Sequence, residues 1–295
     1  MTIPDDKPVS IRLGDFTLHF LDDGHMFIDG GAMYGALPKV VWSRFDTPDD
    51  MNRVRLAIRP LLIDTGADRI LVETGVGAGR KERLRKLFGV EQPRTLASSL
   101  KAAGFDPADV TYVIDTHLHF DHCGGNMCQA EDGHLTPTFP NATYVIHERC
   151  YEEATHLNER TRTSIVQEDY AGIVDAGTVR RIRGGATELL PGITLLPQRG
   201  HLDCVMCVKI TSGGETGIAL SDVIPDSFHI QPAFIAGIDL YPMDALSGKK
   251  EILKNAAHEN SLLIFYHDPS ILAARVAPEG EKYVVKEAIR ARSSG

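Results

Sequence analysis

The chain has 295 residues, of which 43% are hydrophobic and 24% charged, and this composition argues against disorder over most of its length. Its formal net charge of −9 disfavours a nucleic-acid partner, because phosphate backbones are bound by clustered Lys and Arg. No segment approaches about 18 continuous apolar residues and the start, MTIPDDKPVS, does not resemble a secretory signal, so we expect a cytoplasmic protein without membrane contact.

Short strands separated by turns dominate the first third of the sequence. The segments SIRLGDFTLHFLDDG, LAIRPLLIDTG and RILVETGVG are closed by Gly or Asp-Gly turns and predict consecutive antiparallel strands. TLASSLKAAGF has the apolar spacing of a helix and leads into a predicted strand, TYVIDT. A strand (ATYVIH) and a helix (ERCYEEATHL) follow, whereas the polar insertion NERTRTSIVQEDY receives no assignment.

The second half of the chain repeats this organisation. LLPGITLLPQRGH, CVMCVKIT and GIALSD predict three strands, and Cys204 and Cys207 would lie on opposite faces of the middle one, which favours ordinary half-buried cysteines over a CxxC metal site. MDALSGKKEILKNAAHE predicts a helix, LLIFYHD a buried strand and YVVKEAIRAR a closing helix or strand. We therefore predict a single α/β (α+β) domain over residues 1–295, with two sheets packed together and helices on their outer faces.

The segment VIDTHLHFDHCGG, residues 113–125, brings several costly polar groups to the end of an apolar strand. In an extended chain His117 and His119 project to the same side, and Asp121 and His122 follow where the glycines allow a tight turn. Imidazole and carboxylate groups are ligands for Zn, Fe or Mn, so this spacing predicts a two-metal site. The alternative is a histidine-rich turn without a ligand.

Four ligands are too few for two ions, and three further candidates end short apolar strands. They are His201 in QRGHLDC, Asp222 in ALSDVIP and His267 in IFYHDP. Each of them alone would more commonly be a surface or capping residue. Their shared position at strand ends favours the metal site.

These motifs resemble those of the metallo-β-lactamase superfamily of dinuclear metallohydrolases. More narrowly, DGGAMYGALPKVVW, THLHFDHCGGN and SDVIPDSFHIQPAFIAGIDLYPM are similar to the quorum-quenching N-acyl-homoserine lactone lactonases, especially the YtnP-like branch. The resemblance implies an αββα four-layer sandwich that holds two divalent ions, zinc first and Mn, Fe or Co as alternatives. It implies that one ion is bound by His117, His119 and His201, the other by Asp121, His122 and His267, and that Asp222 bridges both.

The same resemblance predicts the chemistry. A hydroxide shared by the two ions would attack the substrate carbonyl, with Asp121 as a ligand that also orients it and Asp222 as the bridging carboxylate. Two departures matter: ETG stands at 73–75 where relatives have DTG, and Pro225 stands where well-studied lactonases carry a tyrosine. Tyr241 and Tyr266 are the candidates to replace that tyrosine as the catalytic acid.

Two apolar segments near the predicted cleft are candidates to bind substrate. One is the loop at about 28–45, and the other follows Asp222; both carry Gly and Pro among large apolar residues, which suits shaped loops. The predicted substrate-binding residues are Met33, Tyr34, Trp42, Phe228, His229 and Phe234. The alternative is that such residues form core, and an apolar loop would also suit a homodimer interface. An insertion at about 150–187 completes the predicted surroundings, with Arg160 and Arg162 favoured as surface residues.

The leading functional hypothesis is a metal-dependent lactonase whose partner is a small acylated lactone. A hydrolase of a β-lactam, an aryl ester, a thioester or a phosphoester is the main alternative, because the same hydroxide serves each bond. A mono-iron dioxygenase and a metal-free binding module are disfavoured, since no ligand of the predicted second ion is missing from the sequence.

Overall fold

The computed structural model describes residues 7–78 and 82–292. These residues form two compact units, the first within Met1–Gly24, Ile58–Glu82 and Gln92–Arg183 and the second within His25–Ala57, Arg83–Glu91 and Gly184–Gly295. Each unit combines a large sheet with helices, so the predicted mixed α/β class is confirmed. The single-domain expectation stays a prediction, and the first six residues of the start segment lie outside the described part.

Most strands of the described chain are short. Their bounds are β1 (Val9–Leu13), β2 (Phe16–Phe20), β3 (His25–Asp29), β4 (Arg53–Ala57), β5 (Leu61–Asp64), β6 (Arg69–Val72), β7 (Tyr112–Asp115), β8 (Met127–Gln129), β9 (Leu135–Pro137), β10 (Thr143–His147), β11 (Val179–Ile182), β12 (Thr187–Leu190), β13 (Ile193–Gln198), β14 (Val205–Ser212), β15 (Glu215–Ala219), β16 (Leu262–Ile264), β17 (Ile271–Glu279) and β18 (Lys282–Arg290). The helices are α1 (Gly30–Tyr34), α2 (Lys39–Trp42), α3 (Glu82–Leu87), α4 (Leu96–Ala103), α5 (Phe120–Cys123), α6 (Glu148–Thr155), α7 (Ala171–Asp175) and α8 (Pro242–Glu259).

The first unit contains a seven-stranded sheet in the order β1-β2-β5-β6-β7-β10-β11. Strands β1, β2, β5 and β6 are antiparallel neighbours, as the sequence predicts, whereas β7 runs parallel to both β6 and β10. Val113 and Ile114 of β7 are completely buried, as expected for an interior parallel strand. Because β7 is central, the segment that follows it emerges at the edge where neighbouring parallel strands also end.

The second unit contains another seven-stranded sheet, in the order β12-β13-β14-β15-β16-β17-β18. β14 is antiparallel to both β13 and β15, and β15 is parallel to β16, so β13, β15 and β16 all end at the same edge. Helix α8 places Ile252, Leu253 and Ala256 in a buried cluster with Leu263 and Phe265. The strand directions place His201, Asp222 and His267, which follow β13, β15 and β16, at one edge of this sheet.

Several elements differ from the sequence predictions. The predicted loop at about 28–45 contains the short helices α1 and α2. The Asp29 carboxylate caps α1, because it accepts hydrogen bonds from the Gly31 and Ala32 backbone N–H groups. β17 is absent from the predictions because ILAARVAPE is rich in alanine, and its pairing with β16 and β18 outweighs that weak strand preference. YVVKEAIRAR, predicted as a helix or a strand, takes the second of these alternatives as part of β18, and the unassigned polar insertion includes short 3₁₀ turns and leads into α7.

No helix of the described residues is both long enough and apolar enough to cross a bilayer. Cys204 and Cys207 are fully buried, whereas the sequence predicts half-buried side chains, and none of the five cysteines in the described chain forms a disulfide.

Candidate metal-binding residues and their surroundings

The first unit gathers four of the predicted ligands directly after β7. His117 lies in a bend after the strand, His119 has an extended backbone, and Asp121 and His122 lie in α5, which begins immediately after His119. The imidazole ring of His117 lies 4.6 Å from that of His119 and 4.1 Å from that of His122, measured between centroids. His122 Nε2 lies 3.5 Å from Asp121 Oδ2. We call His117, His119, Asp121 and His122 the first cluster.

A chain of hydrogen bonds behind the first cluster fixes two of its imidazoles. The Thr116 hydroxyl donates to Glu73 Oε1 at 2.5 Å, and its oxygen therefore accepts from His117 Nδ1 at 3.0 Å. The same Glu73 oxygen accepts from His122 Nδ1 at 2.7 Å. Because Nδ1 donates in both rings, Nε2 is left as the basic nitrogen that can bind a metal.

Glu73 is the main residue of this unit that sequence reasoning did not assign a role. It is 1% exposed and has a φ of 65°, a conformation that L residues rarely adopt. The sequence feature that could have identified Glu73 is the motif ETG, where relatives have DTG. In the structure the longer glutamate side chain forms a hydrogen bond with His122. Backbone strain of this kind concentrates at functional sites.

The second unit brings the three strand-end candidates together. His201 follows β13, Asp222 follows β15 and His267 follows β16, at the shared edge of the sheet. Asp222 Oδ2 lies 3.2 Å from His201 Nε2, and Asp222 Oδ1 lies 3.2 Å from His267 Nε2. Ser221, which precedes the carboxylate, has a φ of 46°. We call His201, Asp222 and His267 the second cluster.

The imidazoles of the second cluster are held in the same manner. His201 Nδ1 contacts Asp239 Oδ1 at 3.0 Å, and His267 Nδ1 donates to the Ala57 carbonyl at 2.8 Å. Both rings therefore present Nε2 toward the Asp222 carboxylate. Buried neutral imidazoles with an anchored Nδ1, beside carboxylates, are the donor set of zinc and related divalent ions. The residues of each cluster fit a metal ion on this ground.

The predicted substrate-binding residues fall into two groups, all within the second unit. Met33, Tyr34, Trp42 and His229 are at most 2% exposed. Tyr34 stacks on the Trp42 ring at 5.0 Å and on the His229 ring at 5.3 Å. Phe228 and Phe234 are half-buried and contact Phe45, which is 48% exposed, at 5.8 and 6.0 Å between ring centroids. Phe45 is at the end of the predicted 28–45 loop, and sequence reasoning did not single it out.

The tyrosines and arginines predicted near the site occupy different environments. Tyr241 precedes α8, and the Arg199 guanidinium lies 3.4 Å from the centre of its ring. Tyr266 is 4% exposed, with its ring 4.8 Å from that of His267. Arg160 and Arg162 are exposed, beside and within a 3₁₀ turn. The proposed acid role of either tyrosine stays a prediction.

Lys249 is a buried cation that the sequence analysis did not single out. It is 2% exposed, and burial lowers its pKa to about 8, although the negative charges of Asp239 and Asp226 counteract part of this effect. The unfolded chain, with an ordinary lysine pKa, binds more protons than the folded chain between about pH 8 and pH 10.5. The free energy of unfolding should therefore rise with pH through this window.

We expect this rise to reach about 3 kcal/mol for Lys249 alone. The measurement is urea unfolding of the wild type and of Lys249→Met between pH 7.5 and pH 10, with the difference between the two proteins isolating the lysine. The wild type should gain stability relative to the variant as pH increases. A difference that stays constant, or that moves against the wild type, would show that the amine is not held in a desolvated site.

Comparison with known proteins adds the family context. Residues 56–267 match the family model described as "Metallo-beta-lactamase superfamily". The chain is 27% identical over 276 residues to the N-acyl homoserine lactonase AiiA of Bacillus thuringiensis subsp. kurstaki, covering 89% of this chain and 97% of that protein.

Solved structures show the same fold. A probable metal-dependent hydrolase from Staphylococcus aureus superposes with a TM-score of 0.85 at 27% identity, covering 95% of this chain and 100% of that one. AidC, a dizinc quorum-quenching lactonase solved with a product, superposes with a TM-score of 0.78 at 20% identity, covering 98% and 99%. The fold expected from the sequence motifs is therefore confirmed.

Proposed function

Since the chain belongs to the metallo-β-lactamase superfamily, we propose that it is a two-metal lactonase that opens N-acyl-homoserine lactones. Membership in this superfamily, together with its lactonase relatives, makes the chain a metal-dependent hydrolase. The lactone substrate and the pair of ions are the proposed part. The observation that carries the proposal is that both clusters consist of anchored imidazoles and carboxylates of the predicted type.

We propose that the first and second clusters bind the two ions jointly. His117, His119 and His201 would hold one ion, Asp121, His122 and His267 the other, and Asp222 would bridge them. When bound, two such ions, zinc by preference, would lower the pKa of water toward neutrality and polarise a carbonyl, which is chemistry that needs no serine or cysteine nucleophile. The two units would then act as one domain, in a cytoplasmic protein that can associate as a homodimer.

The protein's own residues prepare this chemistry. Glu73 and Thr116 hold His117 and His122 with Nε2 available, so the donors need no rearrangement when an ion binds. Asp222 has one oxygen toward each of its histidine neighbours, which suits a carboxylate that bridges two cations. We propose that the half-buried Phe228 and Phe234, together with exposed Phe45, contact the acyl chain of the substrate.

One observation favours a second candidate substrate, an activated ester. Pro225 occupies the place of the tyrosine of well-studied lactonases, and its carbonyl accepts the His267 backbone N–H at 2.9 Å. No phenol is available from that position, so the leaving group must be protonated by another residue or need no proton. An activated ester with an acidic leaving group would tolerate this better than an alkyl lactone.

A substrate panel tests the proposal. The zinc- or manganese-loaded protein is assayed by acid release on homoserine lactones of increasing acyl length, beside an aryl ester, a thioester, a phosphotriester and a β-lactam. We expect the largest kcat/KM on the lactones, and its loss on treatment with chelator. A fully metal-loaded protein that prefers another bond, or that opens no lactone, would contradict the proposal.

A further inference from the structure

Lys249 interrupts the apolar face of α8. The buried positions of this helix are Ala245, Lys249, Ile252, Leu253 and Ala256, which is the spacing of one helix face. An apolar side chain at this position would pack against the core like its neighbours on the same face. Lysine, in contrast, is almost never fully buried unless its charge is paired. The lysines at 250 and 254, on the same helix, are exposed. The cation at 249 therefore calls for a reason beyond helix packing.

The amine of Lys249 contacts the segment that precedes α8. Its Nζ donates a hydrogen bond to the Phe234 carbonyl. The negative charges that stabilise its protonated form belong to Asp239 and Asp226, which lie on the same preceding segment. We call residues 226–240 the 226–240 segment. Lys249 thus donates to one backbone carbonyl of this segment, and its buried positive charge is attracted electrostatically by two carboxylates of the same segment.

Asp239 connects the 226–240 segment to the second cluster. Its Oδ1 contacts His201 Nδ1 at 3.0 Å, which sets the direction of the His201 ring. The backbone reinforces the connection, because the Leu240 N–H donates to the His201 carbonyl at 3.1 Å. A shift of this end of the segment would therefore change the orientation of a proposed metal ligand.

Asp226 connects the other end of the segment to α1. Its Oδ1 accepts from His229 Nδ1 at 2.7 Å and from the backbone N–H groups of Phe228 and His229 at 2.9 Å each. His229 Nε2 donates to the Met33 carbonyl at 3.0 Å. Both ring nitrogens of His229 therefore face acceptors. Burial would raise the pKa of Asp226, but the interactions with His229 and the Phe228 backbone N–H outweigh it, so this pKa is lowered.

Close backbone contacts complete this arrangement. The Gly237 N–H donates to the Ala32 carbonyl at 2.8 Å, and a Cβ atom at Gly237 would lie 2.7 Å from the Gly31 carbonyl oxygen. At Gly237 the 226–240 segment therefore approaches α1 too closely for a side chain. Between the two anchored ends, the Phe234 carbonyl is held by Lys249.

We propose that Lys249 is a positioning residue, which fixes the 226–240 segment and thereby the orientation of the His201 imidazole and of the Phe228 and Phe234 side chains. The inference rests on the proposed function, because it assigns His201 to a metal and the phenylalanines to the acyl chain. It goes beyond that function by naming a residue that touches neither. A purely structural role for Lys249 would affect stability alone.

The test replaces Lys249 by methionine, which has a similar length and no charge. Because the buried amine is costly to desolvate, the variant should unfold at a temperature equal to or above that of the wild type. Its zinc affinity, measured by competition with a chromophoric chelator, should fall by about 10-fold, as for loss of support behind a ligand. KM should rise more for long-chain than for short-chain lactones, with a smaller change in kcat.

Lys254→Met is the matched control, because it removes an exposed lysine from the same helix. It should match the wild type in zinc affinity and in KM. Lys249→Arg, which keeps the charge, should recover part of the lost zinc affinity. Zinc affinity of Lys249→Met within twofold of the wild type, with unchanged dependence of KM on acyl length, would overturn the proposal.

Two further outcomes are decisive. If Lys249→Met cannot be purified, Lys249→Gln retains a donor for the Phe234 carbonyl and takes its place; failure of both variants to fold would make Lys249 a stability residue and overturn the proposal. The zinc measurement needs no lactone turnover. If the wild type opens no lactone, the proposed function fails while the effect of Lys249 on metal binding is still measured.

Discussion

Asp222→Asn should reduce kcat/KM for lactone hydrolysis by at least about 100-fold, the scale observed when one electrostatic contact to the reacting centre is lost. Asparagine keeps the shape of the side chain but removes the negative charge that lies between His201 Nε2 and His267 Nε2. The two cations would then lose the one negatively charged ligand that they are proposed to share, and Asp121 would be the remaining carboxylate ligand. The bound metal should decrease together with activity.

The measurement combines kcat/KM, metal content and thermal unfolding of the metal-free protein. The metal-free variant should be at least as stable as the metal-free wild type. The substitution removes a buried negative charge and keeps the size of the side chain. Asp50→Asn makes the same chemical change at an exposed position of the second unit and should be neutral. An Asp222→Asn protein with normal metal content and activity would exclude a bridging role for this carboxylate.

Glu73→Gln should weaken metal binding by about 10- to 100-fold, the usual effect of losing a residue that orients a metal ligand. The Glu73 carboxylate accepts hydrogen bonds from both Thr116 and His122 through one oxygen. A neutral amide makes weaker bonds to these donors and has an N–H side that repels them. The imidazoles should then populate the wrong tautomer more often, which removes Nε2 as a ligand.

Thr116→Val distinguishes the contribution of His117 to the loss of metal affinity from that of His122. It removes the hydroxyl between Glu73 and His117 but leaves the Glu73 contact to His122, so metal affinity should fall by less than in Glu73→Gln. Thr138→Val is the control, because the Thr138 hydroxyl is buried without a hydrogen-bond partner in the described structure. Chelator competition measures all three variants. Equal affinities for Glu73→Gln and the wild type would remove Glu73 from the support of the site.

The sequence predicted the strand-end positions well, for a physical reason. An apolar run followed by polar residues and glycine specifies where a buried strand stops, and β7, β15 and β16 end just before the predicted ligands. Neighbouring parallel strands end at the same edge, so Asp222 and His267 meet through the pairing of β15 with β16. The family resemblance supplied how the ligands divide between ions.

The supporting residues were not predictable in the same way. Glu73, Asp239 and Lys249 act through partners distant in sequence. The ETG motif marks Glu73 as unusual but does not identify its partner, and nothing local identifies the partners of Asp239 or Lys249 either. Glu73 lies 49 positions from His122, and Asp239 lies 38 positions from His201. The sequence also could not predict whether Tyr34 and Trp42 are buried. An apolar residue in a segment that contains Gly and Pro can either line a binding site or pack in the core.

The most direct test of the account is the number of metal ions bound per folded chain. The wild type is saturated with zinc, freed of excess ion by gel filtration, and measured by elemental analysis against protein concentration. Seven ligands acting as proposed predict close to two zinc ions per chain. One ion or none per correctly folded chain would contradict the two-metal centre, and with it the proposed lactonase chemistry.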